Sequence, residues 1–137
     1  MPTKKKIREW AAAVLEQYRE RATLTIRIVD EAESGQLNER WRKVPGATNV
    51  LSFPAAAANA AMPELLGDIV ICAPLVRREA LGQHKPFDAH LAHMVIHGVL
   101  HLLGFDHVKR REAALMEAIE TELLDNLGYP DPYLLTQ

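Results

Sequence analysis

The sequence has few of the residues on which several classes of protein depend. It has one cysteine, Cys72, which excludes an internal disulfide and a metal cluster held by cysteines. Lysine and arginine together number 16 and aspartate and glutamate 18, so the formal net charge is −2. There is thus no global positive field for nucleic acid, and any such contact would need a local patch. Since neither a run of ~18 apolar residues nor a secretory signal is present, we expect a cytoplasmic protein that does not enter membranes.

What the sequence does contain is typical of a folded globular domain. Hydrophobic residues make up 48% and charged residues 25%, and we place a single domain at 1–137. Periodicity and the positions of proline and glycine predict helices at 7–18, 34–41, 74–82, 87–103 and 109–127. They predict strands at 22–30, 50–53 and 66–73, and loops at 43–47 and 55–63. Helices outnumber strands and do not alternate strictly with them, so the predicted class is α+β, a small mixed β-sheet packed with several helices.

Local signals also predict where some of these helices begin and end. Ser34 and Asp88 have side chains suited to N-caps, and they are the predicted caps of the second and fourth helices. Gly104 adopts a left-handed conformation at low cost, so we expect it to end the fourth helix and reverse the chain.

Six histidines crowd into a short part of the chain and carry the chemical signal. They are His84, His90, His93, His97, His101 and His107. His97 and His101 lie four residues apart on a predicted helix, so their rings share one face about a turn apart. The reversal at Gly104 returns His107 toward that face. Because three imidazoles with a fourth position left to water are typical of a catalytic zinc site, we predict one zinc ion per chain.

The spacing H-x-x-x-H-x-x-G-x-x-H matches the zinc helix and turn of the metzincin proteases except at one position. Those proteases carry a general-base glutamate where this chain has Gly98. General acid–base help is typically worth ~10²–10⁴ in rate, so the pattern predicts a metal site without the peptidase base. The helix is apolar all round, and a metal would offset the cost of burying several imidazoles there.

The remaining polar residues near this motif keep more than one interpretation. His93 lies on the same helix face one turn before His97, and it is either a core-packing or solvent-contacting residue or an indirect contact of the metal site or substrate. Asp106 is either a turn residue or an acceptor that holds a ligand imidazole. We expect His84 and His90 at the surface or at helix ends.

Three segments together resemble the YbeY family of bacterial single-strand-specific endoribonucleases, the rRNA maturation factors. They are 48–53 (TNVLSF), 66–71 (LGDIVI) and 97–107 (HGVLHLLGFDH), and the likeness extends over roughly 37–107. The resemblance implies a zinc-dependent hydrolase that cuts RNA phosphodiesters in 16S rRNA 3′-end maturation and in ribosome quality control. The partners it implies are single-stranded RNA, the small ribosomal subunit, a small-subunit ribosomal protein and an assembly GTPase.

By position, the resemblance places the family's three zinc ligands on His97, His101 and His107 and its functional arginine on Arg42. These four are the predicted catalytic residues. A guanidinium can contact two non-bridging oxygens of a phosphodiester, which suits Arg42; its alternative is a solvated loop charge. The loop at 43–47 reads KVPGA and departs from the family's usual Gly-Lys-Asp stretch and proline, and Phe105 stands where the family usually has tyrosine.

The substrate would lie on a locally basic surface. Arg40, Arg42 and Lys43 are close in sequence, so a groove between them and the histidine turn is expected to attract single strands. Aromatic residues are only 6%, so any stacking surface would be small. Trp41 and Phe53 are its candidates, although we expect both in the core.

Two other functions stay open. A metallopeptidase-like hydrolase could use the same three histidines, but Gly98 argues against it. A non-catalytic zinc-containing ribosome-assembly factor would hold zinc for structure alone, which an open fourth coordination position disfavours.

Overall fold

The structure is a computed structural model that describes residues 1–19, 21–55, 64–105 and 109–134. In these ranges the elements are α1 (Lys4–Tyr18), β1 (Thr23–Val29), α2 (Glu31–Arg42), β2 (Val50–Pro54), β3 (Leu65–Cys72), α3 (Ala73–Gly82), α4 (Phe87–Leu102) and α5 (Arg110–Asn126). All the predicted helices and strands are therefore present, and the α+β class is confirmed. No helix in the described ranges is long and apolar enough to cross a membrane.

The three strands form one mixed sheet in the order β1-β3-β2. The central strand β3 pairs in parallel with β1 and in antiparallel with β2. Its nearly continuous apolar sequence is typical of a strand covered on both faces. Gly67 has φ +137°, and a Cβ there would lie 2.1 Å from the carbonyl oxygen of Phe53. This glycine therefore lets β2 lie close against β3.

The core lies mainly between the sheet and α4. Nearly every residue of α4 is buried, and the helix packs against α1, α3, α5 and the strands β2 and β3. Ile69 and Ile71 of β3 face this cluster. Because strand side chains alternate, Val70 points to the other face, where it joins a smaller cluster under α2. The sheet therefore has α4 on one side and α2 on the other.

The structure differs from the predictions at two helix starts. Asp30, not Ser34, is the N-cap of α2, and its side chain accepts a hydrogen bond from the Glu33 N–H at 2.8 Å. Ser34 lies inside the helix, and its hydroxyl bonds to the backbone of Thr48 instead of capping α2. Pro86, not Asp88, precedes the first residue of α4.

The predicted chain reversal after α4 and the predicted loops have different outcomes. Gly104 has φ +102° and follows the end of α4, which confirms its left-handed conformation at the helix end, whereas the path of the chain at 106–108 lies outside the described residues. The predicted loop at 43–47 contains neither helix nor strand. The one at 55–63 lies outside the described residues beyond Ala55.

Candidate functional site

A cleft of about 540 Å³ opens between α4, β2 and the end of α2. Its lining residues are Trp41, Arg42, Thr48, Asn49, Val50, Leu51, Ser52, Phe53, Pro54, His97 and His101. The fold thus brings Arg42 together with two of the three histidines that the sequence singles out. His107, the third, and Asp106 lie outside the described residues.

Buried polar side chains fix the loop that follows Arg42. Arg42 is the last residue of α2. Ser34 Oγ donates a hydrogen bond to the Thr48 carbonyl oxygen at 2.8 Å and accepts one from the Thr48 N–H at 3.0 Å. Asn38 Nδ2 donates to the Gly46 carbonyl oxygen at 2.9 Å. Because these contacts tie the loop back onto α2, they hold the Arg42 end of the helix against the strand that lines the cleft.

The opposite wall depends on a close approach between α4 and the sheet. Ser52 Oγ of β2 donates to the Gly98 carbonyl oxygen at 3.2 Å. A Cβ on Gly98 would lie 2.9 Å from Ile69 Cγ2 of β3, nearer than ordinary packing allows. A glutamate at this position would therefore force Ile69 or α4 to shift. The absence of the protease glutamate at position 98 thus agrees with the close packing of α4 against the sheet.

His97 and His101 present ring nitrogens to one another along α4. The two Nε2 atoms are 3.1 Å apart, and the ring centroids are 4.6 Å apart. Two imidazole nitrogens that bind one tetrahedral zinc ion at ~2.0–2.1 Å would be about 3.3 Å apart. The observed separation therefore fits two ligands of a shared ion.

Glu120 of α5 lies behind His97, and the sequence analysis missed it. Its side chain is 1% exposed. Oε2 is 3.2 Å from His97 Nδ1 and 2.5 Å from His93 Nε2, and Oε1 accepts a hydrogen bond from the Tyr133 hydroxyl at 2.8 Å. His97 thus directs Nδ1 at the carboxylate while its Nε2 faces His101. The sequence did contain a signal for Glu120: it is spaced four residues from both Met116 and Leu124, so it falls on the buried face of α5.

The charge states of this network follow from its contacts. Burial by itself would raise the pKa of Glu120, but hydrogen bonds from His93 and His97 lower it to about 2. The carboxylate is therefore ionised at neutral pH. Burial and the neighbouring Glu120 raise the pKa of Tyr133, so its hydroxyl keeps the proton that it donates. His93 Nδ1 is buried without a hydrogen-bond partner among the described residues, so Nε2 is the ring nitrogen that contacts Glu120.

His93, His97 and Glu120 together could also hold a metal ion, because their donor atoms lie within 4.8 Å of one another. Their observed contacts favour hydrogen bonding. One oxygen, Oε2, serves both imidazoles, and its 2.5 Å distance to His93 is shorter than the roughly 3.3 Å between two donors of a tetrahedral ion. A carboxylate that holds a metal-binding histidine from behind is a common arrangement in metal sites.

The chain is similar to known proteins in sequence and in fold. The family described as Endoribonuclease YbeY matches residues 2–128. The chain belongs to the YbeY family. The Endoribonuclease YbeY of Pseudomonas syringae pv. syringae (strain B728a) is 54% identical over 133 residues, which cover 96% of this chain and 80% of that relative. A protein from Thermotoga maritima, solved in solution, shares the fold with a TM-score of 0.61 and 23% identity, over 95% of this chain and 90% of that one.

In this member of the YbeY family, the other histidines of the cluster divide between core and surface. His84 is exposed, as predicted. His90 lies in the first turn of α4, which agrees with the predicted helix end, but the surface alternative was wrong: nearly all of α4 is buried, and His90 is only 5% exposed. Its Nε2 lies 3.0 Å from Glu79 Oε1, and Asn49 Nδ2 donates to the same oxygen at 3.1 Å. Burial lowers the pKa of His90, although Glu79 opposes the shift.

The prediction that Trp41 lies in the core was also wrong. Trp41 is 59% exposed at the rim of the cleft. The reason is that α2 buries only Ser34 and Asn38 completely, so most of its surface faces solvent. Phe53 is half-buried and packs against the small cluster under α2. Cys72 is buried at the end of β3.

Proposed function

We propose that this protein is a zinc-dependent endoribonuclease that cuts single-stranded RNA in the processing of small-subunit ribosomal RNA. The matching family and the Pseudomonas relative are both named for endoribonuclease activity, which supports the reaction class. The observation that carries the proposal is the meeting of Arg42 with His97 and His101 in one cleft. An anionic phosphodiester suits such a site, because a guanidinium and a metal position can share its charge.

The proposed zinc ligands are His97, His101 and His107, with one ion per chain. The 3.1 Å separation of the first two Nε2 atoms supports this choice, and so does the direction in which Glu120 turns His97. When bound, zinc would polarise a phosphate oxygen and bring the pKa of a water molecule near 7. That chemistry would offset the absence of a general-base glutamate at position 98, where this chain has glycine.

Glu120 would act as a positioning residue. An ionised carboxylate that accepts the Nδ1 proton of His97 fixes the tautomer in which the Nε2 lone pair points to the metal. His93 and Tyr133 would hold the carboxylate in turn. In this proposal, His93 is an indirect contact of the metal site.

Arg42 would bind the scissile phosphate and stabilise charge on its non-bridging oxygens. Arg27 and Arg78 form ion pairs with Glu33 and Glu31, whereas no ion pair between described residues involves Arg42. Its side chain is exposed at the cleft. A guanidinium without a carboxylate partner keeps its donors for the substrate.

The wider role that we propose is maturation of the 16S rRNA 3′ end and ribosome quality control in the cytoplasm. Its proposed partners are the small ribosomal subunit, a small-subunit ribosomal protein and an assembly GTPase. Gly98 weighs against the metallopeptidase-like alternative, because α4 has no general-base glutamate at this position and packs closely against Ile69 there.

One experiment separates the three candidate functions. Wild type, His101→Ala and His84→Asn are purified alike, and their zinc content is measured with cleavage of single-stranded RNA, duplex RNA and casein. We expect about one zinc per wild-type chain and cleavage of single-stranded RNA, with both lost in His101→Ala. His84→Asn should match wild type, because His84 is exposed, lies outside the cleft, and has a φ of +57° that asparagine tolerates.

Three results would contradict the proposal. Equal RNA cleavage by wild type and His101→Ala would point to a contaminating nuclease. Casein cleavage without RNA cleavage would favour the peptidase. Full zinc content with no cleavage of any substrate would favour a non-catalytic assembly factor.

A further inference from the structure

We infer that Trp41 is a nucleobase-binding site, on which an unpaired base of the substrate stacks while Arg42 contacts the backbone. The inference rests on the proposed function, since it names the feature of RNA that this cleft would select. Nucleobases are flat and apolar on their faces, and they stack on exposed aromatic side chains such as a tryptophan ring.

The exposure of Trp41 sets it apart from the other tryptophan. Trp10 is 2% exposed and belongs to the core, whereas Trp41 is 59% exposed. A large aromatic side chain in water forgoes the hydrophobic stabilisation that burial would provide. A stacked base would cover this ring and recover part of that stabilisation.

The ring is also held in place before any ligand arrives. It makes an edge contact with Phe53 of β2, with ring centroids 6.3 Å apart and planes at 74°. Phe53 itself packs against the cluster formed by Val29, Leu51 and Val70. The guanidinium of Arg40 lies 5.2 Å from the centre of the Trp41 ring. Because its neighbours already restrain the ring, stacking would cost little side-chain entropy.

The surroundings match those of single-strand binding sites. Trp41 and Arg42 are consecutive residues, and both line the cleft that contains His97 and His101. Arg40 and Lys43 on either side add positive charge. A basic groove with an aromatic platform is the usual combination in proteins that bind single strands. In a duplex each base is covered on both faces, so a stacking site of this kind favours unpaired RNA.

An exposed tryptophan beside arginines is also typical of the centre of a protein–protein interface. The local positive charge and the histidines in the same cleft favour RNA.

Tryptophan fluorescence tests the inference directly. In a Trp10→Phe variant, Trp41 is the only tryptophan of the chain. Three probes are mixed with it in a stopped-flow instrument, before cleavage proceeds: a short single-stranded oligoribonucleotide, the same strand in a duplex, and an oligomer with the sugars and phosphates but no bases. We expect the single strand to quench Trp41 emission strongly, and the duplex and the base-free oligomer to have little effect.

Affinity measurements on Trp41→Ala and Trp41→Tyr complete the test. We expect Trp41→Ala to raise the Kd for the single strand by about 5- to 150-fold and to leave the Kd for the base-free oligomer unchanged. Trp41→Tyr keeps an aromatic face and should retain most of the affinity. Leu81→Ala is the control, because Leu81 is 72% exposed on α3 and lies outside the cleft.

The possible failures can be told apart. Wild-type affinity of Trp41→Ala for the single strand, or an equal loss for the base-free oligomer, overturns the stacking site but leaves the nuclease proposal intact. If Trp41→Ala binds RNA normally but no longer associates with ribosomal subunits, the residue contacts protein and the inference is wrong. If wild type neither binds nor cleaves single-stranded RNA, both proposals fail.

Discussion

Replacement of Glu120 by glutamine is expected to weaken zinc binding although no proposed ligand changes. Glutamine has nearly the same volume as glutamate, so the packing of α5 against α4 is kept. It has one acceptor oxygen where the carboxylate has two, and its amide nitrogen donates. Glu120 Oε2 accepts from both His93 and His97, and Oε1 accepts from Tyr133. With the glutamine oxygen toward the two imidazoles, these bonds lose their charge, and the Tyr133 hydroxyl would have to accept a hydrogen bond where it now donates one.

The size of the effect follows from burial and charge. Altering the partner behind a metal-bound histidine typically lowers metal affinity by about 10- to 100-fold. Hydrogen bonds to a charged group contribute about 1.5–3 kcal/mol each, so the metal-free protein should lose a similar amount of stability. At about 3 °C per kcal/mol for a chain of this size, Tm would fall by about 5–9 °C.

Chelator competition measures the zinc affinity, and thermal unfolding of the metal-free protein measures the stability. Glu117→Gln is the matched control, because Glu117 is exposed on the same helix and the same charge is removed. Affinity of Glu120→Gln equal to that of this control would refute the reasoning. Complete loss of zinc at a concentration that saturates wild type would refute it as well, because Glu120 would then be a ligand.

Three further predictions test other parts of the site. Arg42→Ala should lower kcat for RNA cleavage by about 10²–10³-fold at unchanged zinc content. Arg27→Ala is the control, because Arg27 lies outside the cleft, and it should leave kcat unchanged. Similar kcat values for the two variants would exclude a phosphate contact by Arg42. Gly98→Ala should lower the free energy of unfolding in urea by about 1–3 kcal/mol, because the added Cβ would be 2.9 Å from a β3 side chain. Gly35→Ala in α2 is the control: its Cβ meets only ordinary contacts, so it should raise the free energy of unfolding. An increase for Gly98→Ala would contradict the close packing of α4 against the sheet. Burial lowers the pKa of His90 below 6.5, so as the pH falls the unfolded chain binds a proton at this residue before the folded protein does, and wild type loses stability below pH 6.5. His90→Gln removes this group, so its free energy of unfolding should fall less than that of wild type between pH 7 and 5. Equal decreases for the two proteins would contradict this.

Local patterns were enough to predict the elements of this fold, since their signals lie within each segment. The apolar periodicity of α1, the length of the α4 segment before Gly104, and the β-branched run of β3 identified their types. The start of α2 could not be located in the same way, because two good capping residues, Asp30 and Ser34, compete there. Ser34 bonds to Thr48 instead, and that contact exists only once the loop has folded back.

The candidate site was predictable only where its residues share one helix. Spacing alone places His97 and His101 on one face of α4. Glu120 comes from another helix, and a single sequence does not tell which residue of α5 will face His97. The exposure of Trp41 was missed because aromatic residues usually lie in the core, whereas α2 packs on the sheet through a narrow stripe.

A crystal structure of the zinc-loaded protein, with anomalous diffraction recorded at the zinc edge, tests the central claim most directly. The account predicts one zinc ion bound by His97 Nε2, His101 Nε2 and a nitrogen of His107 at about 2.0–2.1 Å, with Glu120 still on His97 Nδ1. A zinc ion held instead by His93, His97 and Glu120, with His101 turned away, would contradict it.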